Sequence, residues 1–133
     1  IDWNISYEDE QSIDKINILS ATMKSMHNNI DKLNIDVDNI LVDGSIFYPY
    51  KDIDHMCVEK GDNKYYSIAA ASILAKVSHD WYIEDLCKQY PDLHEKYDLL
   101  NNMGYATKKH LDGIKKHGIS KYHRKTFGIC KKY

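Results

Sequence analysis

Lys60-Gly61-Asp62-Asn63-Lys64-Tyr65-Tyr66-Ser67-Ile68-Ala69-Ala70-Ala71-Ser72-Ile73-Leu74-Ala75-Lys76-Val77 is the stretch whose reading decides the fold. It opens where a short apolar strand, Met56 to Val58, should end, and it runs on into a helix of small residues. Strand ends are where α/β proteins place their chemistry, so Asp62 is expected at that rim. Three consecutive alanines between Ser67 and Ser72 leave the helix almost without bulk. Its backbone is therefore expected to pack closely against a sheet. Upstream, Ile40-Leu41-Val42-Asp43-Gly44 repeats the device: an apolar run, a carboxylate, then a glycine that lets the chain turn. Two adjacent strands, each followed by an Asp, bring two carboxylates together in a way that suits one or two divalent cations.

Outward from that centre, Trp3, Ile5 and Tyr7 alternate with Asn4 and Ser6, which predicts a half-buried strand. Ser12 is a candidate helix cap. Ile16, Leu19, Met23, Met26, Ile30 and Leu33 then keep the three-four spacing of one amphipathic face. The helix that begins near Tyr66 should end by Tyr90-Pro91, because proline cannot continue it. From Asp92 to Asn102 the pattern weakens into a short helix or loop. Thr107 caps a last helix that runs to Lys116 or His117 and is closed by Gly118.

The chain has 133 residues, 43% of them hydrophobic and 29% charged, which reads as one globular domain over 1–133 with a helical, basic C-terminal part at 105–133. No apolar run approaches the ~20 residues of a membrane-spanning helix, and no signal peptide is visible. Cys57, Cys87 and Cys130 are odd in number and lack CxxC spacing, so they read as free thiols in a reducing, cytoplasmic compartment. The net charge of −2 conceals an asymmetry. Nine Lys or Arg residues lie between Tyr105 and Tyr133 against one acid, Asp112, whereas nine bases face nineteen acids before them. A lysine-rich tail alone is more often a solvated surface. Beside paired aspartates it reads as a footprint for phosphates.

Five motifs carry a resemblance. Leu41-Val42-Asp43-Gly44, Val58-Glu59-Lys60-Gly61-Asp62, the run from Ser67 to Asp80, Met103-Gly104-Tyr105-Ala106-Thr107 and His123-Arg124-Lys125-Thr126-Phe127 resemble, in order and spacing, the C-terminal two-thirds of the ribonuclease HII (type 2 ribonuclease H) family. The resemblance implies an α/β, ribonuclease H-like fold with a mixed sheet and flanking helices. In it, the Trp3, Ile40 and Met56 strands would be the third, fourth and fifth of a sheet ordered 3-2-1-4-5. It implies a metal-dependent endoribonuclease acting on RNA in RNA–DNA hybrids and on the 5′ side of ribonucleotides embedded in duplex DNA, giving 3′-hydroxyl and 5′-phosphate ends. Asp43 and Asp62 would be catalytic metal ligands for Mg²⁺ or Mn²⁺, two ions about 3.5–4 Å apart being the usual arrangement for such a displacement. No membrane is implied, and the resemblance says nothing of protein partners.

The same resemblance makes Tyr105 the residue that stacks where a ribonucleotide is followed by DNA, a task to which an aromatic platform is physically suited. The lysine that the family places before that glycine is Met103 here, a departure expected to weaken one phosphate contact. Lys60 either neutralises a phosphate or is an ordinary strand-end lysine. Thr107, His110, His123 and Arg124 are candidate substrate contacts, although His123 with Arg124 and Phe127 equally suits docking of the C-terminal tail on the domain. Asp80, preceded by His79 where the family commonly has arginine, reads as structural.

The largest departure is an absence. The family opens on a strand with a G-x-D-E-x-G-x-G signature whose Asp and Glu complete a four-carboxylate site, and no such stretch occurs here. Asp9-Glu10 is the nearest pair, with no glycine beside it. The chain is therefore expected to be an incomplete domain, inactive by itself. The alternative is a nucleic-acid-binding remnant of such an enzyme that does not catalyse.

Overall fold

The computed structural model describes all residues from Ile1 to Tyr133. They fall into two compact units, Ile1–Lys76 and Val77–Tyr133. The border between them falls within one long helix.

The first unit is built on a parallel pair of strands, β1 (Asn39–Asp43) and β2 (Asp54–Val58), in the register Leu41↔Met56, Val42↔Cys57 and Asp43↔Val58. Parallel pairing leaves both strands ending on the same side, which is what the paired-aspartate reading requires. The alternation of β1 sends Val42 inward, with Ile40 partly so. They meet Met23, Phe47 and Tyr50, with Met26, Ile30, Ile53 and Cys57 packed around them. The opposite sheet face carries Leu41 and Met56, both exposed, and β2 is the only strand hydrogen-bonded to β1. The sheet is this pair alone, so the antiparallel part of a mixed sheet is represented only by an isolated bridge between Tyr50 and Ile53.

Trp3–Tyr7 is not a strand. A strand exists through its ladder, and the one sheet pairs β1 with β2 only. Its facing also departs from the expectation: Trp3 and Tyr7 are exposed, Ile5 is partly buried, and Ser6 turns in, its hydroxyl donating to the Ser25 carbonyl at 2.7 Å. The helix expected from Ser12 is two helices, α1 (Glu10–Ile16) and α2 (Ile18–Asp31), broken at Asn17. Asn17 adopts a positive φ of 69° with an extended ψ of 164°, and its side chain caps α2 by accepting from Ser20 N. The cap of α1 is Asp9 rather than Ser12: the Asp9 carboxylate accepts from Ser12 N at 2.7 Å. Met23 is buried at the centre of the α2 face, whereas Leu19 at its edge is exposed.

The long helix α3 spans Tyr66–Gln89, as its proline stop suggests. Its alanine segment does not pack against a sheet. Ala70 and Ala71 are exposed, and Ile68 is the buried residue of that turn.

The second unit gathers the end of α3 with α4 (Pro91–Tyr97), α5 (Leu99–Asn102) and α6 (Lys108–His117). Its core is Ile83, Leu86, Cys87, Leu93, Tyr97, Leu99, Ile114 and Cys130. Helix α6 crosses α4 so closely at Gly113 that a Cβ there would lie 2.1 Å from the Lys96 carbonyl oxygen. Only glycine permits that approach. Thr107 caps α6, its hydroxyl accepting from His110 N, and Gly118 closes it. No helix is long and apolar enough to cross a membrane.

Candidate functional site

The first unit holds the carboxylates. Asp43 is the last residue of β1, and β2 ends opposite it at Val58. From there the chain passes through Lys60, held at a left-handed φ of 53°, into a single 3-10 turn, Gly61–Asn63, that carries Asp62. The two aspartates thus lie beyond the same end of the parallel pair, and both are exposed. Gly61 fixes the arrangement. Its N–H donates to Asp43 Oδ1 at 2.8 Å, orienting the carboxylate and leaving its second oxygen outside that bond. Gly61 is itself buried against α3, where an added Cβ would lie 2.6 Å from Ile68 Cδ1 and 3.4 Å from Asp43 Oδ1. The Gly–Asp step therefore ties the first turn of α3, the end of β2 and the end of β1 together. The role of the Gly61 N–H is not legible in the sequence, because a backbone donor leaves no residue-type signal.

Two exposed carboxylates at strand ends are hard oxygen donors and fit Mg²⁺ or Mn²⁺ by chemistry. They do not complete an octahedral shell, and no group of three or more His, Cys, Asp or Glu side chains converges to hold a metal ion. Asp9 and Glu10 are occupied elsewhere, as the cap and first turn of α1. Lys60 is exposed beside Asp62.

The second unit holds the aromatic. Tyr105 is 70% exposed, on a tight loop entered through Met103 and Gly104, both at positive φ. His79 lies beside it, the ring centroids 6.4 Å apart. The loop backbone is pinned from both sides. Upstream, the buried Asn102 accepts from Gly104 N at 2.9 Å through Oδ1 and donates to the Tyr97 carbonyl at 2.7 Å. Downstream, the Tyr105 carbonyl accepts from Thr107 N and from the His110 ring. Nothing in Leu99-Leu100-Asn101-Asn102 marks Asn102 as the buried one of the two asparagines.

His110, expected as a substrate contact, is buried at 6% exposure, and both its ring nitrogens are engaged, with Tyr105 O and with His123 Nε2. In this arrangement it has no nitrogen to offer a phosphate. Thr107 is exposed and acts as the α6 cap. The Arg124 guanidinium lies over the Phe127 ring, 4.2 Å from its centroid, and Lys121 lies over Tyr90 and Tyr122. Lys109 and Lys115 pair loosely with Asp98 and Asp112, while Lys108 and Lys116 are exposed on α6. Asp80 lies 3.7 Å from His79 Nδ1 on α3.

The family model described as Ribonuclease HII matches residues 2–130. Among curated relatives, the chain is 49% identical to the ribonuclease HII of Parabacteroides distasonis over 129 residues, which is 97% of this chain and 63% of that protein. It is 46% identical to that of Christiangramia forsetii, with the same coverage. Against that of Trichormus variabilis it is 43% identical over 98% of this chain and 56% of that protein. The chain thus spans just under two-thirds of the length of the first two relatives.

Proposed function

Because this chain belongs to the ribonuclease HII family, we propose that the protein it represents is a Mg²⁺- or Mn²⁺-dependent endonuclease that cleaves RNA in RNA–DNA hybrids and on the 5′ side of ribonucleotides embedded in duplex DNA. The products would carry 3′-hydroxyl and 5′-phosphate ends. The observation that carries this reading is the placement of Asp43 and Asp62 beyond the same end of two paired parallel strands, with Asp43 oriented by the Gly61 N–H.

Asp43 and Asp62 would hold the divalent ions, which when bound supply an activated water and charge relief on the phosphoryl oxygens. The Gly61 N–H keeps one oxygen of Asp43 directed back toward the protein, so that the carboxylate presents a fixed edge. Lys60 adds a positive charge at the same rim. Tyr105 offers an exposed ring to a base, and the lysines of α6 offer charge to the backbone of the duplex.

The variant Asp43→Asn in the full-length protein tests the metal assignment. It keeps the shape and removes a charge, so cleavage of a duplex with one embedded ribonucleotide should fall by orders of magnitude while the melting temperature holds. Mn²⁺ binding measured by calorimetry should weaken in parallel. Near-normal cleavage by that variant would remove Asp43 from the mechanism. The 133 residues taken alone present two carboxylates and no converging third ligand, so for the isolated chain we propose nucleic-acid contact without catalysis.

A further inference from the structure

Beneath the Tyr105 loop lies a chain of hydrogen bonds that runs entirely through buried or half-buried groups. Ser120 N donates to His123 Nδ1 at 3.0 Å, His123 Nε2 meets His110 Nε2 at 3.1 Å, and His110 Nδ1 meets the Tyr105 carbonyl at 2.9 Å. At the far end the Ser120 hydroxyl also lies 2.8 Å from His123 Nδ1, so the polarity is set by the Ser120 N–H and the Tyr105 carbonyl. A backbone N–H can only donate and a carbonyl can only accept. His123 therefore carries its proton on Nε2 and gives that bond to His110, and His110 carries its proton on Nδ1 and gives it to Tyr105. Every ring nitrogen is satisfied with both imidazoles neutral. A further proton on His110 would set two N–H groups against each other, whereas one on His123 Nδ1 would meet the Ser120 hydroxyl oxygen, 2.8 Å away. Tyr97 closes the shell: its ring lies edge-on to His123 at 4.7 Å, and its hydroxyl donates to the Gly118 carbonyl at 3.1 Å.

This arrangement has a direction. His123 belongs to the segment after α6, His110 to the first turn of α6, and Tyr105 to the loop before it. The relay ties three successive parts of the chain to a single carbonyl, that of the one residue whose side chain is turned outward. We infer that His110 and His123 are positioning residues for substrate: they hold the Tyr105 backbone so that its ring stands as a preformed platform for a nucleotide base. The inference rests on the reading of Tyr105 as that platform. A fixed platform spares the ordering cost that a mobile loop would incur on binding, so its loss should appear in substrate recognition.

The test uses the full-length protein and a DNA duplex with one embedded ribonucleotide, reading kcat and KM separately for Tyr105→Ala, His110→Phe, His110→Asn and the double variant Tyr105→Ala with His110→Phe. Stacking on an aromatic is worth enough that Tyr105→Ala should lower kcat/KM by about ten- to a hundredfold. His110→Phe keeps the ring volume and removes both bonds. It should raise KM several-fold when Tyr105 is present and add nothing when Tyr105 is already Ala, the non-additivity expected of residues that act as one unit. His110→Asn retains a donor and an acceptor and should recover part of the loss. Additive losses, or an unchanged KM in a folded His110→Phe protein, would overturn the positioning role.

If Tyr105→Ala is itself silent, the platform reading falls and the inference falls with it, whereas the metal assignment still stands on Asp43→Asn. Should His110→Phe not fold, His123→Asn replaces it in the same cycle. Long-range ¹H–¹⁵N spectra of the wild-type imidazoles at neutral pH give an independent check, with a protonated Nδ1 on His110 and a protonated Nε2 on His123 expected. The opposite tautomers, or a charged His110, would contradict the relay.

Discussion

A hydrogen-bonded neutral histidine makes stability depend on pH in a defined direction. Burial, and next the imidazole of His110, push the His123 pKa down from its ordinary 6.5 to about 4. The groups that face it are His110 Nε2, the Tyr97 ring and Ser120. The unfolded chain takes up a proton near pH 6.5, and the folded chain does not until about pH 4. Below 6.5 the unfolded state therefore binds more protons, so stability falls with pH across that window and is fully present above it. The expected outcome is a melting temperature that is level above pH 7 and drops between pH 6.5 and 4, with a shallower drop in His123→Asn. Equal slopes in the two proteins would show that His123 is not the group involved. At the other site, Gly61 and Asp43 illustrate what a motif conceals. The aspartates are visible as letters, but the donor that orients one of them is a main-chain N–H.

Among the elements, those whose signals are local are legible in the sequence. Thr107 and Gly118 bracket α6, Pro91 follows the end of α3, and the apolar runs before Asp43 and Asp62 are strands. The failures share one cause, dependence on a partner. Trp3–Tyr7 alternates like a strand, yet a strand needs a neighbour, and the segment instead lays Ser6 against α2. The helix through Ile16 and Leu19 is periodic across Asn17, yet Asn17 can both end one helix and cap the next. Close packing is similarly invisible until the elements meet. At Gly113 an added methyl would strike the Lys96 backbone carbonyl at 2.1 Å, whereas at Gly61 it would meet the tip of the Ile68 side chain at 2.6 Å. A backbone carbonyl within a helix cannot move aside as a side-chain tip can. Gly113→Ala should therefore destabilise the protein by roughly 1–3 kcal/mol, the range for overpacking, and more than Gly61→Ala does. Denaturant titration of both variants checks this, and an equal or reversed order would contradict the crossing of α4 and α6.

Across the whole molecule, the two candidate loci lie in separate compact units, the carboxylates in Ile1–Lys76 and the aromatic platform in Val77–Tyr133. Both are expected from five motifs in register with the family. The resemblance implies that an Asp and a Glu of a G-x-D-E-x-G-x-G strand would complete the metal shell, and no third ligand converges here. The first unit also leaves Leu41 and Met56 exposed on one sheet face, with β1 bonded to a single strand. An apolar face beside an open strand edge favours association. Residues 1–133 expressed alone are expected to self-associate, with a size that grows with concentration in light scattering.

The same material provides the most direct test of the central claim, that Asp43 and Asp62 form part of a ribonuclease HII metal site that these 133 residues do not complete. The measurement is cleavage of a DNA duplex containing one ribonucleotide, with Mg²⁺ or Mn²⁺, by the full-length protein and by residues 1–133 side by side. The predicted result is a single cut on the 5′ side of the ribonucleotide by the full-length protein and none by residues 1–133. A monomeric, cooperatively melting 1–133 that makes that cut, or a folded full-length protein that does not, would contradict it.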